Sequence, residues 1–303
     1  MHRQIRALLD AGHEVTYVAP FTYFNVTPAM GLTAIDVARH ASYGRARSAL
    51  RRGVRDADLL IVHDHRLLRA LPYRRPPVVW DVREQVTPKQ LARAERRHRV
   101  ITPAVVPEAT LVSPSPPPPG DTRVVHIGRL SAERGVSELI GLAERLVPHG
   151  IRLDLIGAAA RDVRPLLRDA QRVGLLDWFG YVPNRHALRM AEGALAGLSL
   201  ADDTVRTPPT KIMDYMGRGL PVITTPQGAS LVEGVGCGLV VPLDVDAVLN
   251  AVLDLKEDPA RRLKLGEAGH AQARLRHHWP DHAEAFVRRA ESWAGVTRHA
   301  LAV

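Results

Sequence analysis

Along this chain, short apolar runs alternate with stretches in which apolar residues recur every three or four positions. That change of period marks out a succession of strands and helices. Ile5, Leu8 and Leu9 share one helical face, Gly12 ends that helix, and EVTYVAP follows as a strand stopped by proline. Residues 44–57 (GRARSALRRGVRDA) form a second amphipathic helix, DLLIVHDH is a buried strand running into a polar tip, and PPVVWDVREQ sets charged residues just past another short apolar strand. Strands alternating with helices, with polar residues collecting at the strands' C-terminal ends, predict a doubly wound α/β sheet whose ligand crevice lies at those ends.

The stretch SPSPPPPGD, residues 113–121, interrupts this alternation. Consecutive prolines make a stiff extended spacer, which places a domain boundary there. The alternation then restarts with RVVHIG, SELIGLAERLVPHG, IRLDLIG, RDVRPLLRDAQRVG, DWFGYV, RHALRMAEGAL, AGLSLAD, GLVVPL and DVDAVLNAVLDLKED. The expected organisation is an N-terminal Rossmann-like domain over 1–112, a linker over 113–121, a second Rossmann-like domain over 122–275 and a helical tail over 276–303 packing back toward the first domain. A doubly wound domain normally opens with its central strand. Because this chain begins inside a helix, the N-terminal domain is expected to lack its first strand.

With 303 residues, 46% of them hydrophobic, the chain can bury real cores. Its net charge of +9 comes almost entirely from arginine, the lysines being Lys89, Lys211, Lys256 and Lys264. The arginines are dispersed and not interleaved with aromatics, which argues against nucleic acid as a partner. The single cysteine, Cys237, excludes an intrachain disulfide and a cysteine-built zinc site, so a cytoplasmic location is the expectation. No apolar run approaches the roughly 20 residues of a membrane span. The helix carrying Arg45, Arg51, Arg52 and Arg55 offers a basic face, either solvated or in peripheral contact with the inner membrane surface.

Four segments carry candidate chemistry. In VVHIGRLSAERGVSEL (124–139) a strand ends at Gly128, a loop presents Arg129 and Arg134, and Gly135 opens a helix whose free N–H groups face the crevice. Two guanidiniums beside a helix N-terminus suit a diphosphate, although Arg129 as an ion-pair partner and Arg134 as a solvated loop residue fit equally. Gly157, after IRLDLI, permits close backbone approach or merely a turn. DWFGYVPNRHAL reads as a strand with Gly180 and a loop whose backbone could face a flat ring, or as a packing strand. In RTPPTKIMDYMGRGLPVITT, Lys211 and Asp214 lie three apart on one helix face. A carboxylate there can accept both hydroxyls of a ribose, or pair with the lysine. Asp202 and Asp203 do not converge and read as loop polarity, so no metal site and no cofactor are expected.

These residues carry a resemblance. GRLSAERGVSEL, LDLIGAA, WFGYV, PPTKIMDYMGRGLPVITT and GCGLVVPLDVDAV stand in the order and spacing of the donor-binding half of a GT-B retaining glycosyltransferase of family 4. The N-terminal half is similar more loosely through ALLDAGHEVTYVAP, ADLLIVHDH and VVWDVRE, and HHWPDHAEAF resembles the family's closing helix. The resemblance implies two Rossmann-like domains facing across a cleft. It also implies transfer of a sugar from a nucleotide-diphosphate donor to a hydroxyl acceptor, a small molecule, glycan or lipid-linked group, with retention and without a metal. By it Arg129 and Arg134 bind the donor diphosphate, Asp214 holds the ribose, Val182 lies near the base, and His63 approaches the sugar and phosphate. Gly128, Gly157, Lys211 and Arg206 complete the donor side.

The chain departs from the family at Arg206, which stands eight before Asp214 where many members keep an acid, and at Arg83, which stands where the family has histidine. Those departures motivate the competing reading of a catalytically degenerate protein that binds a nucleotide sugar or a partner enzyme. A sugar-nucleotide 2-epimerase on the same fold is a further competitor, disfavoured by the ribose-end motif.

Overall fold

The structure is a computed structural model that describes residues 2–19, 29–36, 43–54, 56–63, 65–82, 87–101, 109–202 and 210–295. It divides into two units, Met1–Pro107 with Pro280–Val303, and Glu108–Trp279. The proline-rich stretch 113–121 therefore lies inside the second unit and not at the division. Its prolines rest on glycines, Pro116 against Gly219 and Pro119 against Gly266, while the Gly120 amide donates to the Gly193 carbonyl (3.1 Å). Stiff extended backbone acts as a spacer only where nothing packs on it, and here side-chain-free positions leave it a seat.

The first unit opens with α1 (His2–Asp10), β1 (Val15–Ala19), β2 (Leu32–Asp36) and α2 (Tyr43–Gly53). It continues with β3 (Leu60–Val62), β4 (Val78–Trp80), α3 (Pro88–His98) and β5 (Val100–Ile101). β1 and β2 pair in parallel with Val15 opposite Leu32, and β3, β4 and β5 form a second parallel set with Leu60 opposite Val78. Val62, Leu68, Leu71, Val78, Trp80 and Val100 make its core. α3 begins at a capping box: the Thr87 hydroxyl accepts from the Gln90 amide, Gln90 Oε1 accepts from the Thr87 amide (2.7 Å), and Pro88 occupies the first turn. The C-terminal segment belongs to this unit, where His13 Nε2 and Glu291 Oε1 are 2.9 Å apart.

The second unit runs β6 (Arg123–Ile127), α4 (Val136–Leu146), β7 (Arg152–Ile156), α5 (Arg164–Arg172), β8 (Leu176–Trp178), α6 (Asn184–Ala191) and β9 (Ala196–Ser199). It continues with α7 (Lys211–Met216), β10 (Val222–Thr224), α8 (Ala229–Val235), β11 (Gly238–Val240), α9 (Val245–Glu257) and α10 (Pro259–Arg276), and Trp279 starts α11 (Trp279–Ala294). The sheet order is β11-β10-β9-β6-β7-β8, with every pair parallel.

This order puts the unit's first strand in the middle and reverses direction between β6 and β9, the topological switch point where a doubly wound sheet opens its crevice. Burial on both faces explains the continuous apolar runs read from the sequence. Leu139, Leu142, Leu153, Leu155, Leu167 and Val252 pack one layer, and Val125, Ile127, Ile156, Leu188, Tyr215 and Met216 the other. Each such side chain contributes about 1.5–3 kcal/mol on burial, set against the entropy of ordering the chain. The α/β architecture with parallel sheets agrees with the sequence reading. No described helix is long and apolar enough to cross a membrane.

Candidate functional site

β6 and β9 pair only through Val124 with Ala196 and Val125 with Gly197, after which the two strands part. Tyr215 of α7 closes the split. The Ile127 amide donates to its hydroxyl (2.8 Å), and the hydroxyl donates to the Leu198 carbonyl (2.9 Å), so one side chain replaces the missing rungs of the ladder. Burial pushes the hydroxyl far above its usual pKa, which keeps it a donor. Its ring lies directly over Gly197, where any Cβ would come within 2.2 Å of a ring carbon. Tyr215→Phe leaves a buried amide and a buried carbonyl short of a partner. We expect it to cost about 1–3 kcal/mol, read as a lowered urea midpoint at unchanged m-value.

At the strand tips two glycines let the backbone close up. The Gly128 amide donates to the Ile156 carbonyl (2.9 Å) and the Leu130 amide to that of Ala158 (2.9 Å), which carries the β6–β7 pairing past the ends of both strands. A Cβ on Gly157 would sit 1.7 Å from the Gly128 carbonyl oxygen. The close approach that the sequence assigned to Gly157 is thus made to the neighbouring β6 tip. Trp178 fixes the same turn, its Nε1 donating to the Gly157 carbonyl (3.0 Å).

Against Gly128 lies Lys211, buried, with Nζ 3.1 Å from Nε2 of His126 in the middle of β6. Burial first, and then the charge of Arg134, push the Lys211 amine down to about 7. His126 is held well below the ordinary imidazole range by burial, then by Lys211 and Arg134, with the Leu198 backbone pulling the other way. Arg134 closes the short turn Ala132–Arg134 before α4, and its Nε is buried with no partner among the described residues. Arg129 is exposed. Among the described residues no carboxylate pairs with Arg129, Arg134 or Lys211. The ion-pair alternatives raised for these residues are therefore not what the structure shows, and Lys211 and Asp214, expected on one face, turn to different partners.

Asp214 is half-buried, and its Oδ1 accepts from the Thr110 hydroxyl (2.6 Å). Thr110 sits beside the division between units: its amide donates to the His277 carbonyl (2.6 Å), and its carbonyl accepts from the Trp279 amide (2.8 Å). The carboxylate expected to serve a ribose is thereby tied to the two segments where the chain enters and leaves this unit. Across the crevice the Asp202 amide donates to the Glu133 carbonyl (3.1 Å), and the Thr225 hydroxyl donates to the Ala201 carbonyl (2.9 Å), which fixes the exit of β9. Gly135, at φ 70, begins α4 where a Cβ would come within 3.1 Å of Leu243.

The remaining expectations fall elsewhere. Val182 is half-buried and packs on the layer holding Leu188 and Tyr215. His63 lies just past β3 in the first unit, its Nδ1 2.9 Å from Oδ2 of the buried Asp81, which also accepts from Gln4 Nε2 (3.1 Å). Arg206, Asp203 and Arg83 lie outside the described residues. The structure thus gathers Gly128, Arg134, Gly157 and Lys211 about the β6 tip and adds His126, Tyr215, Gly197 and Thr110, which sequence reasoning passed over. The one available signal was His126, a polar residue inside an apolar strand. Among the described residues no three His, Cys, Asp or Glu side chains group to hold a metal ion.

The fold recurs in solved structures of low identity. A sucrose-phosphate synthase from Thermosynechococcus elongatus superposes with a TM-score of 0.71 at 14% identity, over 97% of this chain and 92% of that one. WaaG, a glycosyltransferase involved in lipopolysaccharide biosynthesis, gives 0.63 at 16% identity, over 94% and 93%. A TarM variant from S. aureus, in complex with fondaparinux, alpha-GlcNAc-glycerol and UDP, gives 0.61 at 11%, over 83% and 58%. No curated protein matches the chain. Residues 121–258, from just before β6 through α9, match the family model described as glycosyl transferases group 1. Residues 121–258 are thus similar to the glycosyl transferases group 1 model, and the fold is the one shared with the sucrose-phosphate synthase and WaaG.

Proposed function

We propose that the protein transfers a sugar from a nucleotide-diphosphate donor to a hydroxyl acceptor with retention at the anomeric carbon, as a family 4 glycosyltransferase. The observation that carries this reading is the basic pocket at the β6–β9 switch point, where among the described residues no carboxylate pairs with buried Lys211 or with the buried Nε of Arg134. Such a pocket suits a group of two or more negative charges. The solved TarM complex, which contains UDP, supports a nucleotide diphosphate as that group.

In this reading the reaction asks little of protein nucleophiles. As the bond between the anomeric carbon and the diphosphate oxygen breaks, negative charge grows on the leaving group. Arg129, Arg134, Lys211 and the α4 N–H groups meet that charge in fixed positions, which stabilises the transition state more than the ground state. These protein cations take the part that a metal ion plays elsewhere. Asp214 serves the ribose, sharing its carboxylate with Thr110.

The test is incubation with UDP-, GDP- and ADP-sugars, following released nucleotide diphosphate and the anomeric configuration of the product by proton NMR. We expect release from one nucleotide class, slow without acceptor, and a product with the donor's configuration. Tight donor binding with no release under any condition would favour the degenerate binding protein instead, and an inverted product would overturn retention.

A further inference from the structure

Lys211 is a buried amine whose hydrogen-bond partner is a base and not an acid. Its Nζ lies against Nε2 of His126, and Gly128 packs on its last two atoms. A buried ammonium ordinarily keeps an anion beside it, because an uncompensated charge in a low-dielectric site is costly. The neighbouring titratable and charged groups named here are those among the described residues. His126 comes from β6 and Arg134 from the turn before α4, while Tyr215 and Asp214 come from its own helix. The tyrosine hydroxyl serves Ile127 and Leu198, and Asp214 Oδ1 accepts from Thr110. Asp202, beyond β9, reaches the turn through its amide. The charge that bears on the amine is that of Arg134, and it is repulsive.

We propose, building on the donor-binding reading above, that the Lys211–His126 pair takes up a proton from solvent when a nucleotide diphosphate binds, so that the pair carries more positive charge in the complex than in the free protein. Burial and Arg134 hold the free amine at about 7. A diphosphate brings opposite charge to the same place, favours the charged form and moves the amine back up. The complex then binds more protons than the free protein at every pH above about 7 and below its own raised value. Affinity accordingly falls as pH rises through that interval, by at most about tenfold per pH unit, and is flat below it.

Calorimetric titration of the full chain with UDP, GDP and ADP, in buffers of differing ionisation enthalpy, counts the protons directly. At about pH 8 the terminal phosphate, with a second pKa of about 6, is already ionised and does not confuse the count. We expect uptake of more than about half a proton per nucleotide bound, and none in Lys211→Met. Lys211→Arg, whose guanidinium stays charged throughout, removes the uptake whatever it does to affinity. Binding without uptake, or uptake that persists in Lys211→Arg, overturns the proposal alone. Failure of every nucleotide diphosphate to bind overturns the donor-binding reading and the proposal with it.

Discussion

Arg134→Ala is expected to lower kcat/KM for the donor by about 10²- to 10³-fold, the loss typical of removing one preorganised donor from a developing anion. The size follows from its setting. Arg134 is held by a short turn, its Nε is already stripped of water, and among the described residues it has no protein partner to release before it binds. Little reorganisation is needed when charge appears. Arg129, by contrast, is exposed and surrenders more to solvent, so Arg129→Ala should lose less. A second readout separates a direct role from a merely structural one. Arg134 is one of the causes depressing both Lys211 and His126. Its removal therefore lets the Lys211 amine titrate higher, and the pH above which activity declines should move up in Arg134→Ala. Arg134→Lys keeps the charge without the fork, and we expect it to recover much of the loss.

Gly157→Ala should be the most damaging single methyl group in the second unit. The added carbon would lie 1.7 Å from the Gly128 carbonyl oxygen and 2.6 Å from its carbon, both backbone atoms that no rotamer change can move aside. Relief requires the β6 and β7 tips to separate. That breaks the Gly128 to Ile156 and Leu130 to Ala158 hydrogen bonds and withdraws the surface against which Lys211 packs. We expect a loss of more than about 3 kcal/mol in urea denaturation, beyond the usual cost of overpacking. Nucleotide affinity should fall as well in whatever fraction folds. Gly150→Ala is the control: it too has positive φ, but nothing lies within 4 Å of its Cβ, so it carries conformational strain without collision.

The strands of the second unit were legible because a parallel sheet buried on both faces writes itself as short apolar runs, and the turn glycines and prolines punctuate them. β2, α3 and β5 were not. β5 is two residues long, and α3 offers only Leu91 and Ala94 as an apolar face, too few for a 3.6-residue period to show. The candidate site was legible at Gly128, Arg134 and Lys211 as residue types at a crevice, yet their relations were not. Lys211 meets His126 across 85 positions of sequence, and Asp214 meets Thr110 across 104. Sequence reasoning set Lys211 beside Asp214 because three residues of helix place them on one face. The split between β6 and β9 instead draws the lysine inward, where the strand ends leave room. The seating of the proline-rich stretch was hidden for a related reason: stiffness is local, but the glycines that seat those prolines lie about 75 to 150 residues later in the chain.

On the proposed reading, the switch point of the second unit binds a nucleotide diphosphate through Arg134 and Lys211. Titration calorimetry of UDP, GDP and ADP into the full chain and into the Arg134→Ala/Lys211→Met double variant tests it most directly. At least one nucleotide diphosphate is expected to bind the unaltered protein, and the double variant, still folded by circular dichroism, to bind it at least about 100-fold more weakly. Equal affinity in the two proteins would contradict it.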